Sequence, residues 1–313
     1  MYRIGIDLGG TSFTVGIVDE AYNIIYKVNK PTLAHRSGEE IIKDMAETCE
    51  NILKDNAIDK ESIKCIGLGV PGIVDPPNGR VVIASNINMS DTPLRSIMQN
   101  YINLPVYMEN DANAAALGEH FAGSAQGCKN SVTVTLGTGV GAGIIIDSKV
   151  YSGPFFGAGE LGHMIIKSDG ELCACGRQGH FEAYSSATAL IRDTKKAAIE
   201  NPKSSINEAV FGILDDITPK TAFDCAQAGD KAAKDVIDNY IYYLSVGLTN
   251  IVHIFQPEII VIGGGISNQG ASLIKLIEKT IEPLIYGDIV TKFKTSSLGS
   301  SAAIIGASLA TAT

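Results

Sequence analysis

The sequence predicts an α/β protein built from two lobes, and three observations support this prediction. Its 313 residues are more than one ordinary hydrophobic core accommodates. Apolar strand patterns alternate with helical patterns along the whole chain. Three times, and in both halves, a short apolar strand runs into a glycine turn, at residues 5–12, 135–143 and 261–267.

The glycine turns indicate a phosphate-binding function. Glycine lets backbone N–H groups approach a phosphate closely, and three such turns in one chain are a stronger signal than one. No turn has the G-x-x-x-x-G-K-[ST] pattern of a P-loop. None has G-x-G-x-x-G opening a helix with an acidic residue about 20 positions later, so a dinucleotide-binding fold is also disfavoured.

Hydrophobic periodicity predicts the elements in order. Residues 39–55 form a predicted helix because six apolar side chains share one face: Ile41, Ile42, Met45, Cys49, Ile52 and Leu53. The other predicted helices span 113–121, 230–255, 270–281 and the final segment 300–313. The predicted strands are 3–7, two within 14–28, 64–72, two within 130–146 and 258–267.

Composition excludes several classes of partner. A net charge of −9 and a pI near 5.1 argue against a nucleic-acid-binding surface and against an anionic membrane surface. The chain has no run of 18 or more apolar residues and no secretion signal at its N-terminus. We therefore expect a cytoplasmic protein with reduced cysteines and without nucleic-acid or membrane partners.

The segment CACGRQGHFE, residues 173–182, combines groups that bind metals. Cys173 and Cys175 are the only two of the six cysteines close enough in sequence to suggest a metal site, and His180 follows. From the residues alone, a zinc site, part of an active site and a loop with reactive side chains all remain open.

Seven motifs then carry a resemblance: DLGGT (7–11), GVPG (69–72), ENDANAAALGE (109–119), LGTGVGAG (136–143), GAGELGH (157–163), CACGRQGHFE (173–182) and VIGGG (261–265). This set resembles the ROK family of sugar kinases and related repressors, within the actin/hexokinase/Hsp70-like superfamily. Bacterial glucokinases and other hexose kinases are the most similar members.

The resemblance implies two ribonuclease-H-like lobes with a cleft between them. The small lobe is expected at 1–118 plus 299–313. The large lobe is expected at 119–298, with the sugar loop, the cysteine loop and a dimer surface. Because family members are commonly dimers, a homodimer is expected.

Asp111 is the predicted catalytic residue. A carboxylate within hydrogen-bond reach of a sugar hydroxyl can take its proton as the bond to phosphorus forms. The local sequence allows an equally simple interpretation, in which Asp111 only caps the following helix. The resemblance favours catalysis, because this aspartate is the general base of the family.

The resemblance also implies a nucleotide site for ATP and Mg²⁺. Phosphoryl transfer depends mainly on positioning and charge neutralisation. Asp7 can hold Mg²⁺ through water, and the predicted nucleotide-binding residues are Asp7, Gly9, Gly10, Thr11, Thr138, Gly139, Gly264 and Gly265. Any one of these glycines alone fits an ordinary turn at the end of a strand.

The hexose site implied by the resemblance comprises Gly72, Asn86, Asn110, Asp111, Glu160, His163 and Glu182. Asn, Glu and His side chains make paired hydrogen bonds to vicinal hydroxyls, so such a site rejects sugars that lack them. In the family, the glutamate of the GELGH motif accompanies glucose and related hexoses, whereas a histidine there accompanies N-acetylmannosamine. Taken alone, Glu160 also fits a solvated loop acid, and His163 a buried structural histidine.

The family's structural zinc is held by one histidine and three cysteines. His163, Cys173 and Cys175 match that set, and His180 stands where the third cysteine would be. Cys₂His₂ is a known structural zinc set, but histidine places its nitrogen farther from the backbone than cysteine places its sulfur. The predicted role of Zn²⁺ is to hold the loop that presents His163 and Glu182 to the sugar. The alternative is the same turn without metal.

The leading hypothesis is an ATP-dependent kinase that phosphorylates the 6-hydroxyl of glucose. Fructose, allose, mannose and N-acetylhexosamines are alternative substrates, because the ring-contacting residues are shared. A sugar-sensing repressor of the same family is less favoured. Such repressors carry a helix-turn-helix before the DLGGT motif, and a motif that starts at residue 7 leaves no room for one. An Hsp70- or actin-like ATPase is also less favoured, because that class lacks the GELGH and CACG motifs.

Overall fold

The computed structural model describes residues 1–84 and 86–310. The chain divides into two compact units. Unit 1 comprises Met1–Thr133, Gly143–Gly159 and Ser296–Thr313, and unit 2 comprises Val134–Ala142 and Glu160–Thr295. The lobe boundaries expected at 118/119 and 298/299 remain predictions.

The elements of the first half of the chain alternate between strands and helices. They are β1 (Tyr2–Leu8), β2 (Ser12–Val18), β3 (Ile24–Pro31), α1 (Gly38–Asp55), β4 (Ile63–Val70), β5 (Ile73–Asp75), β6 (Arg80–Ala84), β7 (Met89–Thr92), α2 (Leu94–Tyr101), β8 (Val106–Asn110), α3 (Asp111–Ala122), β9 (Ser131–Leu136), β10 (Val140–Ile146) and β11 (Lys149–Val150).

The second half of the chain is mostly helical. Its elements are α4 (Glu182–Ser185), α5 (Ala187–Glu200), α6 (Ser205–Ala209), α7 (Pro219–Gln227), α8 (Lys231–Phe255), β12 (Ile259–Gly263), α9 (Ala271–Ile281), β13 (Lys292–Thr295) and α10 (Ser301–Ser308). The strands form three sheets in the described chain, ordered β3-β2-β1-β4-β8, β11-β10-β9-β12-β13 and β5-β6-β7.

The first sheet determines which strand ends meet. Strand β1 pairs parallel with β4, and β4 pairs parallel with β8, so these three strands end at the same edge. Asp7 lies opposite Gly69, and Gly69 lies opposite Glu109, which fixes the register across the three strands. On the far side, β2 and β3 extend the sheet antiparallel.

Helix α10 packs unusually close to this sheet and to α3. A Cβ atom on Gly67 of β4 would overlap the carbonyl oxygen of Ala307 of α10. A Cβ on Gly306 would likewise overlap the carbonyl oxygen of Ala114 of α3. Glycine is required at both positions because two backbones meet there, and this packing fixes α3 relative to the strand ends.

Helix α8 supports the segment that follows the cysteine motif. The Phe181 ring fills the space beside Gly247, where a Cβ would overlap it, and Phe181 is fully buried. The buried Tyr240 hydroxyl donates a 2.7 Å hydrogen bond to the Ser185 carbonyl oxygen. A buried hydroxyl needs a hydrogen-bond partner, and Tyr240 of α8 finds it in Ser185 of α4. Together with the Phe181 packing, this bond holds α4 on α8.

The predicted α/β class is confirmed, and most predicted elements are present with small changes at their ends. The helix predicted at 113–121 begins two residues earlier, at Asp111. Residues 311–313 of the predicted final helix lie outside the described residues. Within the described chain, no helix is both long and apolar enough to cross a membrane.

Candidate active site

The glycine turn after β1 is held by its neighbours in unit 1. The Gly9 amide donates to the Ser12 carbonyl at 3.0 Å, and the Thr32 hydroxyl donates to the Gly9 carbonyl at 2.6 Å. The Thr32 amide donates to the Thr11 carbonyl at 3.0 Å. These three hydrogen bonds fix the main chain of the turn at residues 9–11.

The carboxyl of Asp7 lies on β1 just before this turn. Its burial raises the pKa of Asp7 to about 6, from an ordinary value of 3.8. A carboxyl whose pKa is raised in this way is a candidate functional group, because strongly shifted pKa values are concentrated at functional sites.

Asp111 is the first residue of α3, and its neighbour Asn110 performs the capping. The Asn110 side-chain oxygen accepts from the amides of Ala112 at 2.9 Å and Asn113 at 3.1 Å. The structure thus assigns to Asn110 the cap role that local sequence allowed for Asp111.

The capping residue also holds the turn that follows β4. The Asn110 side-chain NH₂ group donates to the Gly72 carbonyl oxygen at 2.9 Å. Gly72 has φ = 84°, and a Cβ there would overlap the Ile83 carbonyl oxygen, so only glycine fits this turn. The ends of β4 and β8 are therefore fixed to each other.

The unit 1 residues of the predicted site form a connected group. A Cβ on Gly10 would lie 3.2 Å from the Asn86 carbonyl oxygen, so the turn after β1 contacts Asn86. A Cβ on Gly69 would lie 3.5 Å from the Asp111 Cα, and Gly69 is the register partner of Asp7.

Sequence reasoning did not identify Glu109 as part of this group. Its Oε1 accepts from the Asn110 amide at 2.9 Å and from the Asn113 side-chain NH₂ group at 2.9 Å. Burial raises the pKa of Glu109 above its ordinary range, despite these hydrogen bonds. The quoted motif ENDAN contains both partners, but only the fold shows that they contact each other.

In unit 2, the turn between β9 and β10 contacts two other predicted site residues. The Val140 amide donates to Glu182 Oε2 at 3.0 Å, and the same oxygen lies against Gly139. Gly264, with φ = 78°, lies so close to Leu136 that a Cβ would overlap the Leu136 backbone. The structure therefore brings Glu182, assigned to the sugar from sequence, against the turn assigned to the nucleotide.

The four predicted metal ligands converge in unit 2. One ligand atom from each of His163, Cys173, Cys175 and His180 lies within 4.8 Å of every other. His180 Nδ1 is 3.2 Å from His163 Nδ1 and 3.2 Å from Cys175 Sγ. Ligands of a tetrahedral zinc are separated by roughly 3.3–3.8 Å, given Zn–N and Zn–S lengths of about 2.0 and 2.3 Å.

The donor set therefore fits a structural zinc ion. Both histidines face the cluster with Nδ1, the ring nitrogen nearer the backbone, which reduces the extra reach expected when histidine replaces cysteine. Glycines 176 and 179, with φ of 83° and 80°, form the tight turns that fold the loop back on itself.

The outward ring nitrogen of His163 faces Glu160. His163 Nε2 lies 3.9 Å from Glu160 Oε2, so these two predicted sugar residues are neighbours. If a metal ion occupies Nδ1, the proton of the neutral imidazole is carried on Nε2, which then acts as a donor. A carboxylate acceptor beside an N–H donor is suited to binding vicinal hydroxyls.

Residues 3–313 match the profile of the ROK family. The chain belongs to the ROK family. The predicted family is confirmed.

Relatives span nearly all of the chain. A glucokinase from Halalkalibacterium halodurans is 35% identical over 310 residues, covering 97% of this chain and 93% of that protein. A crystal structure of a ROK family glucokinase from Streptomyces griseus, in complex with glucose and AMPPNP, has a TM-score of 0.86. It is 33% identical, and the match covers 99% of both chains. The predicted two-lobe fold of the actin/hexokinase type is thereby confirmed.

Repressors also belong to this ROK group. A xylose repressor from Caldicellulosiruptor bescii is 32% identical over 280 residues, covering 89% of this chain and 69% of that protein. Kinases and repressors therefore share this fold, so the function of the chain must be argued from its site.

Proposed function

We propose that this ROK protein is an ATP-dependent hexose kinase whose principal substrate is glucose, phosphorylated at the 6-hydroxyl. The carrying observation is the common edge of β1, β4 and β8, where the half-buried Asp7 carboxyl, two glycine turns and Asp111 come together. The 35% identity to curated glucokinases supports the same class of reaction.

Asp111 is proposed as the general base. Its carboxylate accepts the proton of the sugar hydroxyl while the hydroxyl oxygen forms a bond to the γ-phosphorus and the bond from that phosphorus to the ADP oxygen breaks. Asn110 is the N-cap of α3, and Asp111 Oδ1 also accepts from the Ala112 amide at 2.8 Å. In this proposal that contact orients the carboxylate and does not prevent it from taking a proton.

The nucleotide is assigned to the glycine turns that the sequence motifs identify. Backbone N–H groups of Gly10, Thr138 and Gly139 are proposed to bind phosphate oxygens, and the Thr11 hydroxyl adds a further donor. The Gly9 N–H donates to the Ser12 carbonyl, so the proposed role of Gly9 is to shape this turn. Gly265 leaves room beside the backbone for the nucleoside, because a Cβ there would meet nothing within 4 Å. Gly264 is needed for the close packing of this turn on Leu136. Mg²⁺, held near Asp7 through water, would neutralise phosphate charge.

The sugar is assigned to Gly72, Asn86, Asn110, Asp111, Glu160, His163 and Glu182. We propose that a zinc ion held by His163, Cys173, Cys175 and His180 has a structural role. It would fix the orientation of the His163 ring, whose other nitrogen faces Glu160. In this proposal zinc stabilises the conformation of the loop and takes no part in phosphoryl transfer.

The raised pKa of Asp7 predicts a pH dependence. Mg²⁺ is held by the ionised carboxylate, which is lost as the pH falls through about 6. The affinity for AMPPNP with Mg²⁺ should therefore be about tenfold weaker at pH 5 than at pH 7.5, a change of about 1.4 kcal/mol. Titration calorimetry at both pH values measures it.

The Asp7→Asn variant is the matched control for this prediction. Its affinity should be weak at both pH values, apart from the titration of the nucleotide itself. Without ligand the sign reverses: the folded state binds the Asp7 proton more tightly, so wild-type stability should fall as the pH rises from about 4 to about 6. An identical pH profile for Asp7→Asn and wild type would refute the assignment.

A sugar panel with coupled detection of ADP tests the proposed function. Glucose should give the highest kcat/KM, with fructose, allose, mannose and N-acetylhexosamines at least about tenfold lower, because a lost hydrogen bond to a sugar hydroxyl is costly. ADP formation with another sugar as the best substrate would correct the substrate but keep the kinase. No ADP with any sugar, together with a sugar-dependent gel shift of DNA, would favour the repressor.

A further inference from the structure

The turn Gly137–Val140, between β9 and β10, is held from one side by the start of α5. The Ala187 amide donates to the Gly137 carbonyl oxygen at 2.8 Å, and the Thr188 hydroxyl donates to the Thr138 carbonyl oxygen at 2.8 Å. Fifty residues separate Thr188 from Thr138 in sequence, so the contact is a feature of the tertiary fold.

These two hydrogen bonds determine the direction of the turn's amides. In a trans peptide the C=O and N–H groups point in opposite directions, and the described chain contains no cis peptide. With the carbonyls of Gly137 and Thr138 directed at α5, the N–H groups of Thr138 and Gly139 point away from it. Adjacent N–H groups on one side of a turn form a cradle for an anion.

The far end of the turn is held as well. The Val140 amide donates to Glu182 Oε2 at 3.0 Å, so this N–H is not among the proposed phosphate donors. The Ala187 amide is at the start of α5, where N–H groups have no partner within the helix. Its hydrogen bond to the Gly137 carbonyl supplies that partner. The contact of Thr188 with Thr138 is different, because it is made by the side-chain hydroxyl. The need of a helix start to pair its backbone N–H groups does not explain it.

We propose that Thr188 is a positioning residue for nucleotide binding: its hydroxyl orients the Thr138–Gly139 peptide so that the Gly139 N–H faces the phosphate. This inference rests on the proposed function, since it requires the turn to bind a nucleotide phosphate. In this proposal Thr188 acts through the turn, which it contacts from the side of α5.

Three variants test the proposal by titration calorimetry with AMPPNP and Mg²⁺, and separately with glucose. Thr188→Val keeps the shape but removes the hydroxyl, so the Kd for AMPPNP should rise about threefold to tenfold, as expected for one lost hydrogen bond. The Kd for glucose should stay within about twofold. Thr188→Ser keeps the hydroxyl and should bind AMPPNP like the wild type.

Ser186→Ala is the matched control for helix stability. The Ser186 hydroxyl accepts from the Ala189 amide at 3.1 Å and caps α5, so this hydrogen bond lies within the helix. This variant should lower Tm and leave the Kd for AMPPNP unchanged. Thr188→Val binding AMPPNP as tightly as wild type would overturn the proposal, as would equal weakening by Ser186→Ala. Wild-type protein that does not bind AMPPNP would refute the proposed function instead.

Discussion

Replacing Asp111 by asparagine should lower kcat by about 10²- to 10⁴-fold, the usual contribution of a positioned general base. Asparagine has nearly the same shape but cannot accept a proton at neutral pH. The Kd for glucose should change by no more than about threefold, because a side-chain oxygen remains to accept a hydrogen bond. Coupled ADP detection gives kcat, and titration calorimetry gives the Kd.

The same substitution separates catalysis from capping. Asparagine and aspartate are about equally good helix caps, so a residue that only caps α3 would tolerate the change with little loss. Moreover, the cap of α3 is Asn110, so the free energy of unfolding should change by less than about 0.5 kcal/mol. A variant that keeps wild-type kcat would rule out Asp111 as the base.

The choice between these two roles of Asp111 shows the limit of the sequence. Asn110 and Asp111 are adjacent, and both are residue types that cap helices well. Which one caps depends on the backbone: Asn110 has φ = −62° and ψ = 147°, the extended conformation of a cap, and the helix begins after it. Hydrophobic periodicity does not contain that information, and it predicted the helix start two residues late.

Elements with strong periodicity were predicted well. Helix α1 was predicted at 39–55 and spans Gly38–Asp55, with a Ser37–Glu40 capping box at its start. The sheet β5-β6-β7 was not predicted, because its strands have only three to five residues, too few for a periodic pattern.

The candidate site shows the same division. The motifs supplied every residue of the predicted site except Asn86, because glycines and acids at fixed spacings are visible in sequence. The partners that position them were not visible: Thr188 contacts Thr138 across 50 residues, and Glu182 contacts Val140 across 42. Such long-range pairs depend on how the strands and helices pack, which one sequence does not specify locally.

Removing the predicted zinc ligand His180 should have a large effect on zinc content and on Tm. His180→Ala should lose the zinc that the wild type binds at one ion per chain, and its Tm should fall by about 10 °C. Zinc at about 1,000 times its Kd stabilises a folded protein by about 4 kcal/mol. For a unit of 150–250 residues, 1 kcal/mol corresponds to about 2–4 °C. Elemental analysis and thermal unfolding measure the two effects.

Two further variants make this test specific. His35→Ala removes an exposed histidine outside the cluster and should keep both the zinc and the Tm. His180→Cys supplies a thiolate at the same position and should retain the ion, because thiolates are good zinc ligands. The loop then has to adjust, since cysteine places its sulfur nearer the backbone than His180 places Nδ1. Wild-type protein without zinc after incubation with the metal, or His180→Ala with full occupancy, would show that these four side chains do not form the site.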